Sequence, residues 1–540
     1  MKGAVVCPQV IAAEAGLEML QRGGNAVDAA VGAAFVQCVV DPLNASIGGF
    51  GVAQVRLCGR PDAEVVSFHG RAPQAARPDM FDVVAEASTD PLASGTHLVR
   101  GYTNQIGYLA PTVPGTVKGL AELLHRFGRL DLATVLSPAI RAARMGWTVT
   151  WEHWFDWNRP LPPDRLDALT RFRATPEAAR IYTSDGRLWE VGSRVVNHDY
   201  GRTLEQIAAG GPDAFYRGEI ARAIHDDFQA HGGLITQDDL ARYDIEVTAP
   251  LGIVYRGHRI STTPPPAGGL VVLEILNLLE GFDLLALGHN TPEYVHVVAE
   301  AMRIAFGDMR MHLGDPWFGE VPMGMLLDKA YAEARRREIR PSSVRSSSWE
   351  VRLGGGTTHV TAADEDGTCV SITHSLGAAS GVVTPGLGFI FNGQMHRFDP
   401  VPGRPNSIAP GKRRVTGMAP TIVWAGDSPH VVLGGVGGNS IIVGVTQTIL
   451  NLIDFGIDVL AAVSEPRFHC EGGEVSLEGR FPASTAAALA RLGHRVSLVP
   501  YGYDRRLAGA VYPLALQPMR GAADPRVGGV VLGLVASHRL

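Results

Sequence analysis

The pattern in this chain best suited to covalent chemistry is a threonine placed between a flexible tail and a strand. Residues 341–356 read PSSVRSSSWEVRLGGG, polar and poor in core-forming side chains, and Thr357 follows at once. Cutting the Gly356–Thr357 bond would give Thr357 a free α-amine with a pKa near ~8, lowered further by desolvation. That amine could take the proton from its own Oγ and make the hydroxyl nucleophilic without a histidine or aspartate. The same hydroxyl could make the cut by attacking the preceding carbonyl. Taken alone, Gly-Thr-Thr is also an ordinary strand start, and both readings stand at this point.

Other chemistry-bearing residues are sparser. The run LGGVGG at 433–438 can bring backbone N–H groups close to an anion, but no GxGxxG or Walker lysine accompanies it to make a nucleotide loop. His359, His374, His396 and His469 share no ligand spacing such as HExxH, so they read as structural histidines, and no metal or cofactor is implied. Asp364, Glu365 and Asp366 read as a solvated turn. Glu300, Asp308 and Arg310 lie on one helical stretch and read as structural pairs. Five cysteines (Cys7, Cys38, Cys58, Cys369, Cys470) form no CxxC pair and read as buried free thiols.

These residues need a frame. Downstream of Thr357, apolar and polar residues alternate through Thr361, turn at Asp366-Gly367, and alternate again over 369–373, which predicts a hairpin. Strands are also predicted at 52–57, 421–424 and 430–433. Helices are predicted over 11–21 and over 27–40, the second capped by Asn25 and apolar nearly all round. Further helices are expected at 120–127, 132–144 and 270–279, and one capped by Thr291 with Pro292 at its first position runs to about His312. No fixed-period repeat is visible.

With 540 residues, 46% of them hydrophobic, the chain can bury a large core. Its 64 glycines and 35 prolines are dispersed, which argues for many tight turns rather than disorder. A net charge of −6 gives no basis for a nucleic-acid partner. The longest apolar run, 29–40, is too short to span a bilayer. The first residues lack a signal-peptide core, so a cytoplasmic protein with no membrane partner is expected.

Several motifs, in order, resemble the γ-glutamyltranspeptidase family of N-terminal nucleophile (Ntn) hydrolases. They are AAEAGLEMLQRGGNAVDAAV from residue 12, VPGTVKGL at 113–120, PPPAGG at 264–269, EAMRIAFGDMRMHLGDP at 300–316, and the TTHV…D-x-DG hairpin from Thr357. PNSIAPGKRRVTGMAPTIV at 405–423, LGGVGGNSII at 433–442 and SEPRFH at 464–469 complete the set. The resemblance implies an α/β fold, an αββα four-layer sandwich. It would be one structural unit built from a large segment, 1–356, and a small segment, 357–540, cut from one precursor and open to assembly into a higher homo-oligomer.

The resemblance also implies roles. Thr357 matches the threonine that both cuts the chain and attacks substrate. Ser375 stands where a second threonine usually contacts the nucleophile's amine. Gly437 and Gly438 match the oxyanion-hole pair, whose donors each contribute about 3–4 kcal/mol. The substrate clamp departs from the pattern. The arginine that takes the γ-glutamyl carboxylate is matched by His69, with Arg71 two residues on. The asparagine, glutamine or glutamate, and aspartate that take the ammonium are matched by Gly377, Gln394 and Arg397. Thr416 completes the implied substrate-contact set. Replacing an aspartate by Arg397 inverts a charge and argues against γ-glutamyl substrates. The expectation is an autoprocessed amidohydrolase or acyltransferase acting on a small non-γ-glutamyl amide, whose acyl group carries an anionic or strongly polar group facing Arg397. Two alternatives are a true γ-glutamyl transferase with a rearranged clamp and an uncut, non-catalytic binding relative.

Overall fold

A computed structural model describes residues 1–85, 98–159, 165–345, 356–500, 502–503 and 505–535. Most of the Ser/Gly-rich stretch before Thr357, residues 346–355, lies outside them. The hairpin forms as the alternation requires, with strands Gly356–Asp364 and Cys369–Gly377 joined by a turn at Gly367, whose φ of +87° suits glycine. It sits inside a seven-stranded antiparallel sheet. The strand order is Glu246–Thr248, Glu64–Phe68, Phe50–Arg56, Cys369–Gly377, Gly356–Asp364, Gly3–Cys7, Val530–Leu534. Strands from before and after Gly356–Thr357 are therefore hydrogen-bonded neighbours in one sheet.

A six-stranded sheet faces it, ordered Leu251–Tyr255, His258–Thr262, Thr421–Ala425, Ser428–Leu433, Leu514–Leu516, Met519–Gly521. Ala4, Val6 and Ala363 from the first sheet pack with Ile422, Trp424, Val432 and Leu514 from the second. On the outer face of the first sheet, helices Val10–Gln21, Ala26–Val40 and Thr116–Phe127 cover Ala53, Val360, Ala362 and Ile372. On the outer face of the second, helices Gly269–Leu279, Pro292–His312 and Ser440–Ile453 cover Ile260, Val423, Val431 and Leu433. This is the αββα arrangement, with apolar residues on both faces of the inner strands because both faces are covered.

Local signals set the helix ends. Asn25 Oδ1 accepts from Val27 N and Asp28 N, and Asp28 returns the bond to Asn25 N at 2.7 Å, a reciprocal cap. Thr291 Oγ1 accepts from Tyr294 N beneath Pro292, as its position predicts. Among the described residues, no helix is long and apolar enough to cross a membrane.

Two expectations need correction. Asp364 is not a solvated turn residue: it is buried and its carboxylate accepts from Ala26 N and Thr368 N, both at 3.0 Å, tying the hairpin to a helix N-terminus. Cys58 is exposed, whereas the other four thiols are buried. Glu300, Asp308 and Arg310 are paired as expected, with Arg303, Arg335 and Glu471 respectively.

Candidate active site

Thr357 lies where the hairpin's regular pairing ends. Gly356 pairs with Gly377 and Thr358 with His374, so Thr357 alone faces two partner residues, Ser375 and Leu376. This irregularity turns the Thr357 side chain toward its own preceding peptide. Its Oγ1 donates to Gly356 O at 2.8 Å. Ser375 Oγ donates to the same carbonyl, lies 3.3 Å from Thr357 Oγ1, and accepts from Gly377 N at 2.7 Å. Two hydroxyls thus converge on the carbonyl whose C–N bond would have to break. Thr357 is 6% exposed, so bulk water is largely excluded.

Glycine at 356 is required sterically. A Cβ there would fall 2.5 Å from Asn44 Oδ1 and 3.2 Å from Leu43 O. Asn44 itself is buried: its Nδ2 donates to Asp41 and Asp156, and its Oδ1, facing Gly356, has no hydrogen-bond partner. Sequence reasoning did not single out Asn44, since no motif or spacing marks it.

The glycine pair lies on the facing side. Strand Gly435–Val436 runs beside the Thr357 strand, and Gly434 packs so tightly on His359 that a Cβ would come within 2.4 Å of its ring. Gly437 and Gly438 then adopt φ of +133° and +70°, conformations that side chains resist, before helix Ser440–Ile453 begins. The pair therefore sits at a helix N-terminus, where free N–H groups and the helix dipole favour negative charge. The loop carrying Thr416 and Gly417 abuts it, since a Cβ on Gly417 would lie 2.3 Å from Gly438 O.

Of the implied clamp residues, His69, Gly377, Gln394 and Thr416 gather near this centre. His69 is buried, with Nδ1 2.8 Å from Ser67 Oγ and Nε2 3.4 Å from Thr416 Oγ1. Burial first, then the charges of Arg413 and Arg414, hold its pKa well below the usual histidine range, so it is neutral. Arg71 turns elsewhere: Nη2 donates to Asp244 O at 2.6 Å and its guanidinium lies over the rings of Tyr243 and Trp317. Gly377 has a φ of +69°. Gln394 and Arg397 share one turn of 3-10 helix, Gln394 wholly buried and Arg397 half-buried. Neither amide atom of Gln394 has a hydrogen-bond partner.

One residue absent from the sequence expectation stands beside them. Arg414 is 7% exposed, its guanidinium lies 5.0 Å from the ring centre of Phe50, and Nη2 would be 3.0 Å from a Cβ placed on Gly377. In sequence it is one of three consecutive cations, Lys412-Arg413-Arg414, and nothing in such a run says which side chain turns inward.

Two of the candidate histidines, His359 and His374, are buried and engaged with neighbouring side chains, whereas His469 leaves both ring nitrogens and His396 leaves Nε2 without a hydrogen bond. His359 lies between Thr373 and Thr361, and His374 Nε2 meets Gln37 Oε1 at 2.8 Å. Burial pushes both down to about 3, with neighbouring His374 adding to the effect on His359. Among the described residues, His296, Glu300 and His494 are the group close enough to share a metal. Their pairings already satisfy most of their atoms: His494 Nε2 meets His296 Nδ1 at 2.7 Å, His296 Nε2 meets Arg340 O at 2.7 Å, and Glu300 pairs with Arg303.

Comparison with known proteins gives one answer. The family model described as Gamma-glutamyltranspeptidase matches residues 12–534. The Acylase ACY 1 proenzyme of Pseudomonas sp. (strain V22) is 39% identical over 543 residues, covering 99% of this chain and 94% of that relative. The Glutathione hydrolase proenzyme of Escherichia coli (strain K12) is 32% identical, covering 97% and 90%. The crystal structure of cephalosporin acylase from Bacillus halodurans superposes with a TM-score of 0.85 at 32% identity, covering 99% of this chain and 96% of that one.

Proposed function

Since the chain belongs to the γ-glutamyltranspeptidase family of Ntn-hydrolases, we propose that it cuts itself before Thr357 and then hydrolyses a non-γ-glutamyl amide through an acyl-Thr357 ester. The observation that carries this reading is the pair of hydroxyls, Thr357 and Ser375, on the Gly356 carbonyl.

Self-cleavage begins with Thr357 Oγ attacking the carbonyl carbon of Gly356. The hydroxyl proton passes to the amide nitrogen, the C–N bond breaks, and the resulting ester is released by water. The Ser375 hydroxyl stabilises the negative charge gathering on Gly356 O. Segments 1–356 and 357–540 then remain in one core, because their strands are neighbours in the same sheet.

In the cut enzyme the new α-amine of Thr357 accepts the Oγ proton. Oγ attacks the substrate carbonyl, and the oxyanion is met by the N–H groups of Gly437 and Gly438 at the helix N-terminus. The amine product leaves with a proton, and water repeats the attack to free the acid. No histidine is needed, in keeping with the neutral, engaged state of His359 and His374.

A γ-glutamyl group fits this site poorly. Its α-ammonium would approach Gly377 and Gln394, where Arg414 now presents a second positive charge. The acylases among the relatives accord with hydrolysis of another acyl group. Trapping tests the reading: the enzyme is mixed with an activated acyl donor, quenched in acid, and its peptides are weighed. The acyl mass belongs on Thr357. An acyl group on another residue, or turnover with none on Thr357, contradicts the reading.

A further inference from the structure

The turn that carries Gly437 and Gly438 is held from two sides by side chains outside the set described above. On one side Ser440, buried in the first turn of helix Ser440–Ile453, donates from Oγ to Gly437 O at 2.8 Å. The peptide joining the two glycines is trans, and in a trans peptide the carbonyl and the following N–H point to opposite sides. Fixing the Gly437 carbonyl on the helix side therefore turns the Gly438 N–H away from the helix. Gly438 and Asn439 are half-buried between the buried Gly437 and Ser440, so the turn is open at this point. Glycines at φ of +133° and +70° would otherwise rotate freely, since no side chain restrains them.

On the other side Asn439 occupies the cap position of that helix without capping it. An asparagine there ordinarily accepts from the first turn's N–H groups. Instead its Nδ2 donates to Glu471 Oε1 at 2.8 Å. Glu471 is buried and braced in turn, with Arg310 Nη2 3.8 Å from Oε1 and His469 Nε2 3.5 Å from Oε2. Burial would raise the pKa of this carboxyl, but the His469 ring and the Arg310 charge outweigh it and hold it below the ordinary range. The bond from Asn439 is thus of the strong, charge-assisted kind. One residue on, Gly472 O accepts from Arg303 Nε at 2.8 Å. Arg303 and Arg310 stand seven residues apart, on one face of helix Pro292–His312. A helix of the large segment therefore grips residues 471 and 472, and Glu471 grips the residue next to the glycine pair.

We infer that Ser440 and Glu471, the latter through Asn439, are positioning residues that hold the Gly437-Gly438 turn with its N–H groups aimed at the oxyanion of amide hydrolysis. The inference rests on the acyl-Thr357 reading above. It also separates two reactions. Self-cleavage gathers its charge on Gly356 O, which Ser375 serves. Loosening the glycine turn should therefore slow hydrolysis and leave maturation at the wild-type rate.

Ser440→Ala and Asn439→Ala test this in the matured protein, with whichever member of a series of acyl 4-nitroanilides the wild type cleaves fastest. Each should lose about 10- to 100-fold in kcat with KM little changed, the scale expected when a catalytic group is displaced by about 1 Å. Ser440→Thr keeps the hydroxyl and should recover most of that loss. Glu471→Leu should cost about as much as Asn439→Ala, and the two together little more than either, because both break one bond. Wild-type kcat in both alanine variants, or a loss carried by KM, overturns the inference, and fully additive losses overturn the part played by Glu471. A fall in kcat matched by an equal fall in maturation rate also overturns it, since that marks general damage. Should Ser440→Ala fail to fold, the half-buried Asn439 carries the test. Should no anilide be turned over, the rate at which 4-nitrophenyl acetate adds an acetyl mass to Thr357 replaces kcat. Failure of the underlying reading looks different: no acyl mass would appear on Thr357 even in the wild type, and the inference would fall with it.

Discussion

Replacing Ser375 by alanine should leave the chain folded and nearly uncut. The Ser375 hydroxyl does two things in the uncut molecule: it donates to Gly356 O and accepts from Gly377 N at 2.7 Å. Loss of the acceptor leaves a buried backbone N–H unpaired, a cost of about 1–3 kcal/mol that a core of this size can absorb. Loss of the donor falls on the reaction. Gly356 O becomes the oxyanion of self-cleavage, and removing one donor from such an oxygen costs about 2.7–4 kcal/mol, or roughly 100- to 1,000-fold in rate. Maturation complete in minutes would then take hours to days. Ser375→Thr keeps the hydroxyl and should mature at close to the normal rate. The assay follows purified precursor by denaturing electrophoresis against time, with circular dichroism confirming that both variants are folded. If folded Ser375→Ala matures as fast as the wild type, the hydroxyl contributes nothing to cleavage and the geometric argument fails.

Gly438→Val places a branched side chain where φ is +70°, disturbing the proposed oxyanion donors; kcat should fall about 100-fold with KM little changed, and an unaltered kcat removes the glycine pair from the mechanism. The buried histidines make stability depend on pH. With His359 and His374 pushed down to about 3 in the folded chain, against ~6.5 when unfolded, the unfolded state binds extra protons between these values. Their contribution is therefore whole above about pH 6.5 and is lost as pH falls toward 3. Carbon-labelled histidine spectra of the folded protein should show a group of rings, those of His359, His374 and His69 among them, that stay neutral at pH 5; if every ring titrates at ~6.5, this assignment is wrong.

The parts of this molecule that were legible in the sequence are those fixed by neighbours along the chain. Thr291-Pro292 marks a helix start, Asp366-Gly367 a hairpin turn, and Asn25 with Asp28 a reciprocal cap, because each device acts within three or four residues. Thr357, Ser375 and Gly377 lie in that same hairpin, so the family motif and the alternation together brought them to one place. What was not legible depends on partners far away. Asp364 reads as a turn acid until Ala26 N is found against it, some 338 residues off. Arg414 is indistinguishable from Arg413 until Asp315 and Glu246 claim one guanidinium and leave the other. Arg71 could have served the clamp by proximity in sequence, but Asp244, Tyr243 and Trp317 hold it.

The central claim is that Thr357 cuts the chain and thereby becomes an N-terminal nucleophile. Intact-mass measurement of the purified protein, with N-terminal sequencing of its fragments, tests it most directly. The wild type should give two pieces of about 38 and 20 kDa, scaled by length from 57.5 kDa, and the smaller should begin Thr-Thr-His-Val. Thr357→Ala should give one chain of full mass. A wild type that stays whole while hydrolysing amides, a first residue other than Thr357, or a Thr357→Ala chain that still breaks at this bond would contradict the account.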